Sequence, residues 1–232
     1  MMEIKYIIAT LIFLLFLVII IYKYISFILF TNTRQKNVNE IYQLLKYIHC
    51  KFKKSNTNYT IIGGTLLGCI RHEGLIPWDR DADIAVLNKT FKEILEILKP
   101  LEKYNITSYL NTYNGIIKVK FIDSDTIIDI FILEKNNDKI YRFTSPYNLI
   151  YNNEYFEEYE LYPLKLYKFG PLILHGPNLP INYLDRSYPN WQKVAVSWTS
   201  EWYNIININI KNKEININKP ACPNINILRT CN

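Results

Sequence analysis

Hydrophobic positions along this chain follow three distinct patterns. From Tyr6 to Tyr22 the sequence YIIATLIFLLFLVIIIY carries no charge, and after Lys23 the apolar character resumes to Phe30. That length is near the lower limit for crossing a bilayer, and no small-residue cleavage pattern follows it, so a retained transmembrane helix is expected over residues 1–30. Residues 31–57 read as a juxtamembrane segment. Within it Ile41, Leu44, Leu45, Ile48 and Phe52 recur at helical spacing, with Asn37 or Asn39 as a cap.

The remainder, residues 58–232, mixes strand and helix signals. TIIGG reads as a short buried strand entering a tight turn, and TLLGCIRH as a helix leaving it. DADIAVL is a strand, and FKEILEILKPLEKY an amphipathic helix closed or broken near Pro100. ITSYLN, IIKVKFI and TIIDIFIL are rich in β-branched residues and predict strands, the last two joined by a hairpin at Asp123–Asp125. Farther on, paired strands, a proline-rich loop and a helix starting near Pro180 are expected. The alternating tail NIININIKNKEININKP is compatible with an edge strand, though its biased composition alone would produce it. The fold class is therefore mixed α/β: a small mixed sheet flanked by helices, preceded by one N-terminal transmembrane helix.

Composition narrows the function classes. The chain has 232 residues, enough for one catalytic domain with a small extra segment. A net charge of +6 is spread along the sequence without a basic cluster among aromatics, so no nucleic-acid partner is expected. Cys50, Cys69, Cys222 and Cys231 form no zinc-spaced array. A Cys222–Cys231 disulfide and four unrelated thiols both remain open. Lys23, Arg34 and Lys36 after the apolar run favour a cytoplasmic C-terminal part.

The chemistry concentrates in GGTLLGCIRHEGLIPWDRDADI, residues 63–84. Asp79, Asp81 and Asp83 fall at alternate positions, so on an extended backbone they share a face, with neighbours roughly 6 to 7 Å apart. Three like charges repel unless a cation, a basic cluster or water separates them. Asp129 lies among Ile and Phe, where an acid costs several kcal/mol unless paired or metal-bound. If its strand neighbours that of Asp81 and Asp83, the three carboxylates converge as hard ligands suited to Mg²⁺ or Mn²⁺. Gly63 and Gly64 at a helix start allow close approach of an anion, with Thr65 adding a hydroxyl. Arg71 and His72 read as surface charges, and His72 makes a poor general base.

Strand, diglycine turn, helix, Asp-x-Asp strand and a later Asp match a nucleotidyltransferase pattern. More specifically, the Gly-Thr-Leu-Leu-Gly run, Arg-His, Ile-Pro-Trp-Asp and Asp-x-Asp resemble the signature of the LicD family, which includes fukutin and fukutin-related protein. The stretch YPLKLYKFGPLILHGPNLPINYLDRSYPNW is similar to that family's distal region.

This resemblance implies a transferase moving a phospho-alcohol from a CDP-linked donor, such as CDP-choline or CDP-ribitol, to a glycan hydroxyl. It further implies one or two Mg²⁺ or Mn²⁺ ions, most simply two, on Asp81, Asp83 and Asp129. Donor contacts would come from Gly63, Gly64, Thr65, Arg71 and Asp79, and Asp129 would take the acceptor proton or bridge the ions. Many relatives carry an acid where this chain has Arg80, which leaves the metal set but alters the pocket's charge. The family also implies an endomembrane, lumenal catalytic domain on a single-pass anchor, against the flanking-charge reading. Two alternatives stand: a nucleotidyltransferase releasing pyrophosphate from a phosphorylated alcohol or sugar, and an inactive binding protein tethered to the membrane.

Overall fold

The structure, a computed structural model, describes residues 2–99, 104–108, 115–193, 220–226 and 231. It begins with one helix, α1 (Met2–Lys54), and divides into two compact units, residues 1–37 and 38–232. In the first unit the described apolar side chains of α1, such as Phe13, Leu15 and Ile21, are exposed. The expected transmembrane helix is corrected here: among the described residues no helix is long and apolar enough to cross a membrane. The single-pass, lumenal placement falls with it. The asparagine cap is also corrected, because α1 runs through Asn37 and Asn39 without interruption.

In the second unit the helical periodicity has its predicted consequence. Ile41, Leu44, Leu45, Ile48 and Phe52 are all buried, and each such side chain contributes roughly 1.5 to 3 kcal/mol of transfer free energy. Glu40, on the same helix, accepts hydrogen bonds from the hydroxyls of Ser124 and Thr126, both at 2.6 Å. These bonds fix the hairpin turn expected at Asp123–Asp125.

The sheet is built from β1 (Tyr59–Ile61), β2 (Asp81–Leu87), β3 (Tyr104–Ser108), β4 (Ile117–Phe121), β5 (Ile127–Lys135), β6 (Ile140–Phe143) and β7 (Phe156–Glu157). Its order is β1-β2-β5-β4-β3, with β6 and β7 added at the far end of β5. Only β2 and β5 are parallel; the other pairs are antiparallel. On the other edge of β5, β4 pairs with residues 128–130 and β6 with residues 133–135, and the sheet curls. Burial of Ile84, Val86, Ile128, Ile130 and Ile132 makes the centre of the sheet the core.

Helices α2 (Gly63–His72) and α3 (Phe91–Ile97) flank β2 in sequence. A reciprocal box starts α3: Thr90 Oγ1 accepts from the Glu93 N–H while Glu93 Oε2 accepts from the Thr90 N–H at 2.8 Å. It ends at Ile97, before Pro100. The distal part holds α4 (Tyr147–Ile150), α5 (Glu158–Leu161), the hairpin of β8 (Lys165–Phe169) and β9 (Leu172–Gly176), and α6 (Pro180–Ser187). Proline opens α6, where its missing N–H costs nothing. The expected tail strand lies, except for Pro220, outside the described residues.

The open question of the cysteines resolves in neither expected way. Cys50 on α1 pairs with Cys231, while Cys69 is buried and Cys222 lies exposed outside the disulfide. Ala221 bridges to Leu75, donating its N–H to the Leu75 carbonyl at 2.8 Å, so residues 220–226 strap the loop that leads to β2.

Candidate functional site

The site forms where β2, β5 and β4 lie side by side. In register, Asp83 stands opposite Asp129, and Asp129 opposite Lys118. Facing residues on adjacent strands project to one side of the sheet, so the pairing produces a row of acid, acid and base across three strands. Lys118 Nζ donates to both carboxylate oxygens of Asp129, at 2.8 and 2.7 Å. Nothing in the sequence marks this partner, because Lys118 and Lys120 read as the polar positions of an ordinary alternating strand. Only the β4–β5 register singles it out.

Asp81 opens β2 and is exposed, whereas Asp79 precedes the strand in the loop. The loop nevertheless brings Asp79 back to the diglycine. A Cβ placed on Gly64 would lie 2.9 Å from Asp79 Oδ2, and one on Gly63 would lie 3.1 Å from Asp83 Oδ2. Gly63 also has φ of +55°, the left-handed region. Both glycines are thus required by approaching carboxylates, which meet the N-terminus of α2 where the helix dipole favours negative charge.

The same turn grips the backbone of Asp83. Its N–H donates to Thr65 Oγ1 at 2.7 Å, and its carbonyl accepts from the Ile62 N–H at 3.2 Å. Thr65, expected to offer a hydroxyl to donor phosphate, is buried and accepts this bond from the strand. The Gly63 N–H donates to the hydroxyl of Tyr183 at 3.1 Å, and that hydroxyl donates to Glu154.

Charge is poorly compensated here. Burial first, then the charges of Asp81, Asp129, Asp79 and Glu154, hold the Asp83 carboxyl well above the usual carboxylate range. Burial also raises Asp129, against the opposing pull of Lys118. Glu154 is raised by burial, and its hydrogen bond from Tyr183 offsets part of that. Tyr151 and Tyr188 are both raised, by burial and then by Glu154 and Asp83 among others. Tyr147 stacks on Tyr151, with ring centroids 6.1 Å apart, and packs edge-on against Phe131. None of Lys118, Glu154 or these tyrosines carries a motif signal.

Arg71 and His72 occupy the far end of α2, about 12 Å along the axis from Gly63. Arg71 donates to the Trp191 carbonyl at 3.0 Å. His72 is buried edge-on against Trp78 rather than exposed, and burial lowers it to about 4.

The donor set suits a divalent cation in kind but not yet in number. Hard carboxylate oxygens raised by one another are what a cation would relieve. Asp81 and Asp83 fit that role. Asp129 is already paired with Lys118 through both oxygens, and among the described residues no three His, Cys, Asp or Glu side chains gather as a metal cluster.

Comparison with known proteins agrees with the motif. The family described as LicD/FKTN/FKRP, nucleotidyltransferase domain, matches residues 56–179. An uncharacterized protein of Rickettsia prowazekii is 36% identical over 208 residues, covering 84% of this chain and 76% of that protein. An uncharacterized protein of Rickettsia typhi is 36% identical over 213 residues, 85% of this chain, which spans only 65% of that relative's length. The lipopolysaccharide cholinephosphotransferase LicD of Haemophilus influenzae is 35% identical over 54 residues, 23% of this chain and 20% of that protein.

Proposed function

Because the chain belongs to the LicD/FKTN/FKRP family and is in general terms a phosphotransferase, we propose that it moves a phospho-alcohol from a CDP-linked donor to a glycan hydroxyl. The observation that carries this reading is the row Asp83, Asp129, Lys118 beside a diglycine turn crowded by Asp79 and Asp83. Uncompensated buried acids are costly, and such clusters are characteristic of sites that work on charge.

In the proposed reaction the acceptor hydroxyl attacks the phosphorus that bears the alcohol. A new P–O bond forms, the bond to CMP breaks, and CMP leaves with the electron pair. Asp81 and Asp83 would hold a divalent ion, which when bound neutralises charge on the donor phosphates. Asp129 takes the acceptor's proton; its burial raises its basicity toward the working pH, and Lys118 fixes its orientation. Lys118 also keeps one positive charge beside the phosphoryl path. Tyr147 and Tyr151 wall this side of the sheet.

The test is CMP release from CDP-choline, CDP-ribitol and CDP-glycerol by the full chain with Mn²⁺ and a glycan acceptor. Phosphocholine comes first because the Haemophilus relative is named for it. Release of CMP with labelled alcohol on the glycan is the expected result. Silence with every donor, together with pyrophosphate from nucleoside triphosphates and a phosphorylated alcohol, would replace it with the nucleotidyltransferase reading.

A further inference from the structure

The diglycine turn is not held by its own helix alone. Its first amide is one of the N-terminal donors that a helix leaves without an internal partner. In this protein that donor is claimed by Tyr183, a residue 120 positions later in the sequence. Tyr183 is fully buried, its ring stacked on Phe156 at 4.4 Å with the planes 8° apart, so its hydroxyl has one place to be. That hydroxyl accepts from Gly63 and donates to Glu154, both of its hydrogen-bonding roles being used at once.

Glu154 is itself held from behind. Its neighbour Tyr155 lies under two guanidinium groups, Arg142 at 4.5 Å and Arg186 at 4.1 Å from the ring centre. Arg186 also donates to the Tyr155 carbonyl at 2.7 Å, and to both oxygens of the buried Glu160. The distal frame therefore carries a phenol to the turn beneath the Asp83 carboxyl and a carboxylate to that phenol.

We infer that Tyr183 and Glu154 are positioning residues for Asp83, acting as a hydrogen-bond relay that locks Gly63 in its left-handed conformation from the distal half of the domain. The inference rests on the transfer reading for its kinetic consequence but not for its structural one. Asp83 Oδ2 lies over Gly63, where a Cβ would come within 3.1 Å of it, while Ile62 and Thr65 hold the backbone of the same aspartate. Releasing the turn displaces both of these supports and the glycine that leaves room for the carboxylate. A misplacement of about 1 Å at a reacting group costs on the order of a hundredfold in rate.

The experiment compares Tyr183→Phe, Glu154→Ala and Glu154→Gln in the full chain, measuring amide exchange at Gly63 and steady-state transfer. Tyr183→Phe keeps the buried ring and removes only the hydroxyl. Glu154→Gln keeps an acceptor for that hydroxyl. Tyr183→Phe and Glu154→Ala should speed Gly63 exchange at least tenfold and lower kcat at least tenfold, with the donor KM changed less than threefold; Glu154→Gln should stay near wild type in both. Unchanged Gly63 exchange in Tyr183→Phe overturns the relay, as does a Glu154→Gln variant as damaged as Glu154→Ala. If the wild-type protein releases no CMP from any donor, the transfer reading fails, and Gly63 exchange alone then decides the relay by the same criterion.

Discussion

Two carboxylates enclosed by the same domain have opposite fates. Glu160, 1% exposed, meets Arg186 in a two-pronged pair at 2.9 and 2.6 Å, and although burial pushes it up, the guanidinium and neighbouring donors hold it below the usual range. Asp83 is surrounded by Asp81, Asp129, Asp79 and Glu154 and is driven well above that range. The distal half spends its charges on holding α5, α6 and the Tyr155 segment together. The motif half leaves them in mutual repulsion, which favours nothing in the fold itself. The difference separates a structural charge from one that awaits a ligand.

Replacing Asp83 by Asn should break the comparison most sharply. Transfer is expected to fall at least a thousandfold, while the fold gains stability. The sign follows from linkage: a carboxyl raised in the folded state destabilises that state as it ionises, so removing the charge helps above its ordinary range. A rise in Tm of about 2 to 4 °C corresponds to 1 kcal/mol in a chain of this size. A drop in Tm alongside lost activity would make Asp83 a structural residue like Glu160.

Arg186→Met probes the other side. It strands Glu160 without its partner, and a loss of about 3 kcal/mol is expected, read by urea denaturation. Activity per folded molecule should fall less than in the Asp83 variant.

Thr65→Val is smaller and falls between the two. It deprives the Asp83 N–H of its acceptor in a buried setting and should cost about 1 to 3 kcal/mol. Because that bond also orients Asp83, kcat should drop as well, which a purely structural bond would not cause.

The smallest effect concerns a region remote from the motif. His49 contacts the Tyr59 hydroxyl at 2.7 Å, and burial, then His175 and Lys53, lower it to about 4. Below pH 6.5 the unfolded chain takes up a proton that the folded one refuses, so stability should decline as pH falls from 6.5 to 4. His175 is lowered in the same sense. His49→Gln should flatten that slope in a Tm-versus-pH series; an unaltered slope would remove His49 from the cause.

Much of this was legible in local pattern. Ile41, Leu44, Leu45, Ile48 and Phe52 declared a helix face because a 3.6-residue period depends only on neighbours along the chain, and all five are buried. The motif around Gly63 and Asp83 was legible for a similar reason: turn, helix start and strand are contiguous, and the family it resembles is the one the chain belongs to. The N-terminal run misleads, since its apolar composition suggests a span, yet among the described residues no helix is long and apolar enough to cross a membrane. Arg71 and His72, near in sequence to the turn, are carried away from it by the length of α2.

By itself, then, the sequence determined the α/β order, the buried face of the long helix, the diglycine turn and the Asp-x-Asp strand, all set by steric and hydrophobic preferences acting within about ten residues. Tertiary structure alone decided that Lys118 pairs with Asp129, that Tyr183 meets both Gly63 and Glu154, and that Cys50 rather than Cys222 joins Cys231. Those pairings arise from strand register and packing between residues 11 to 181 positions apart, where no local period carries information about which partner is met.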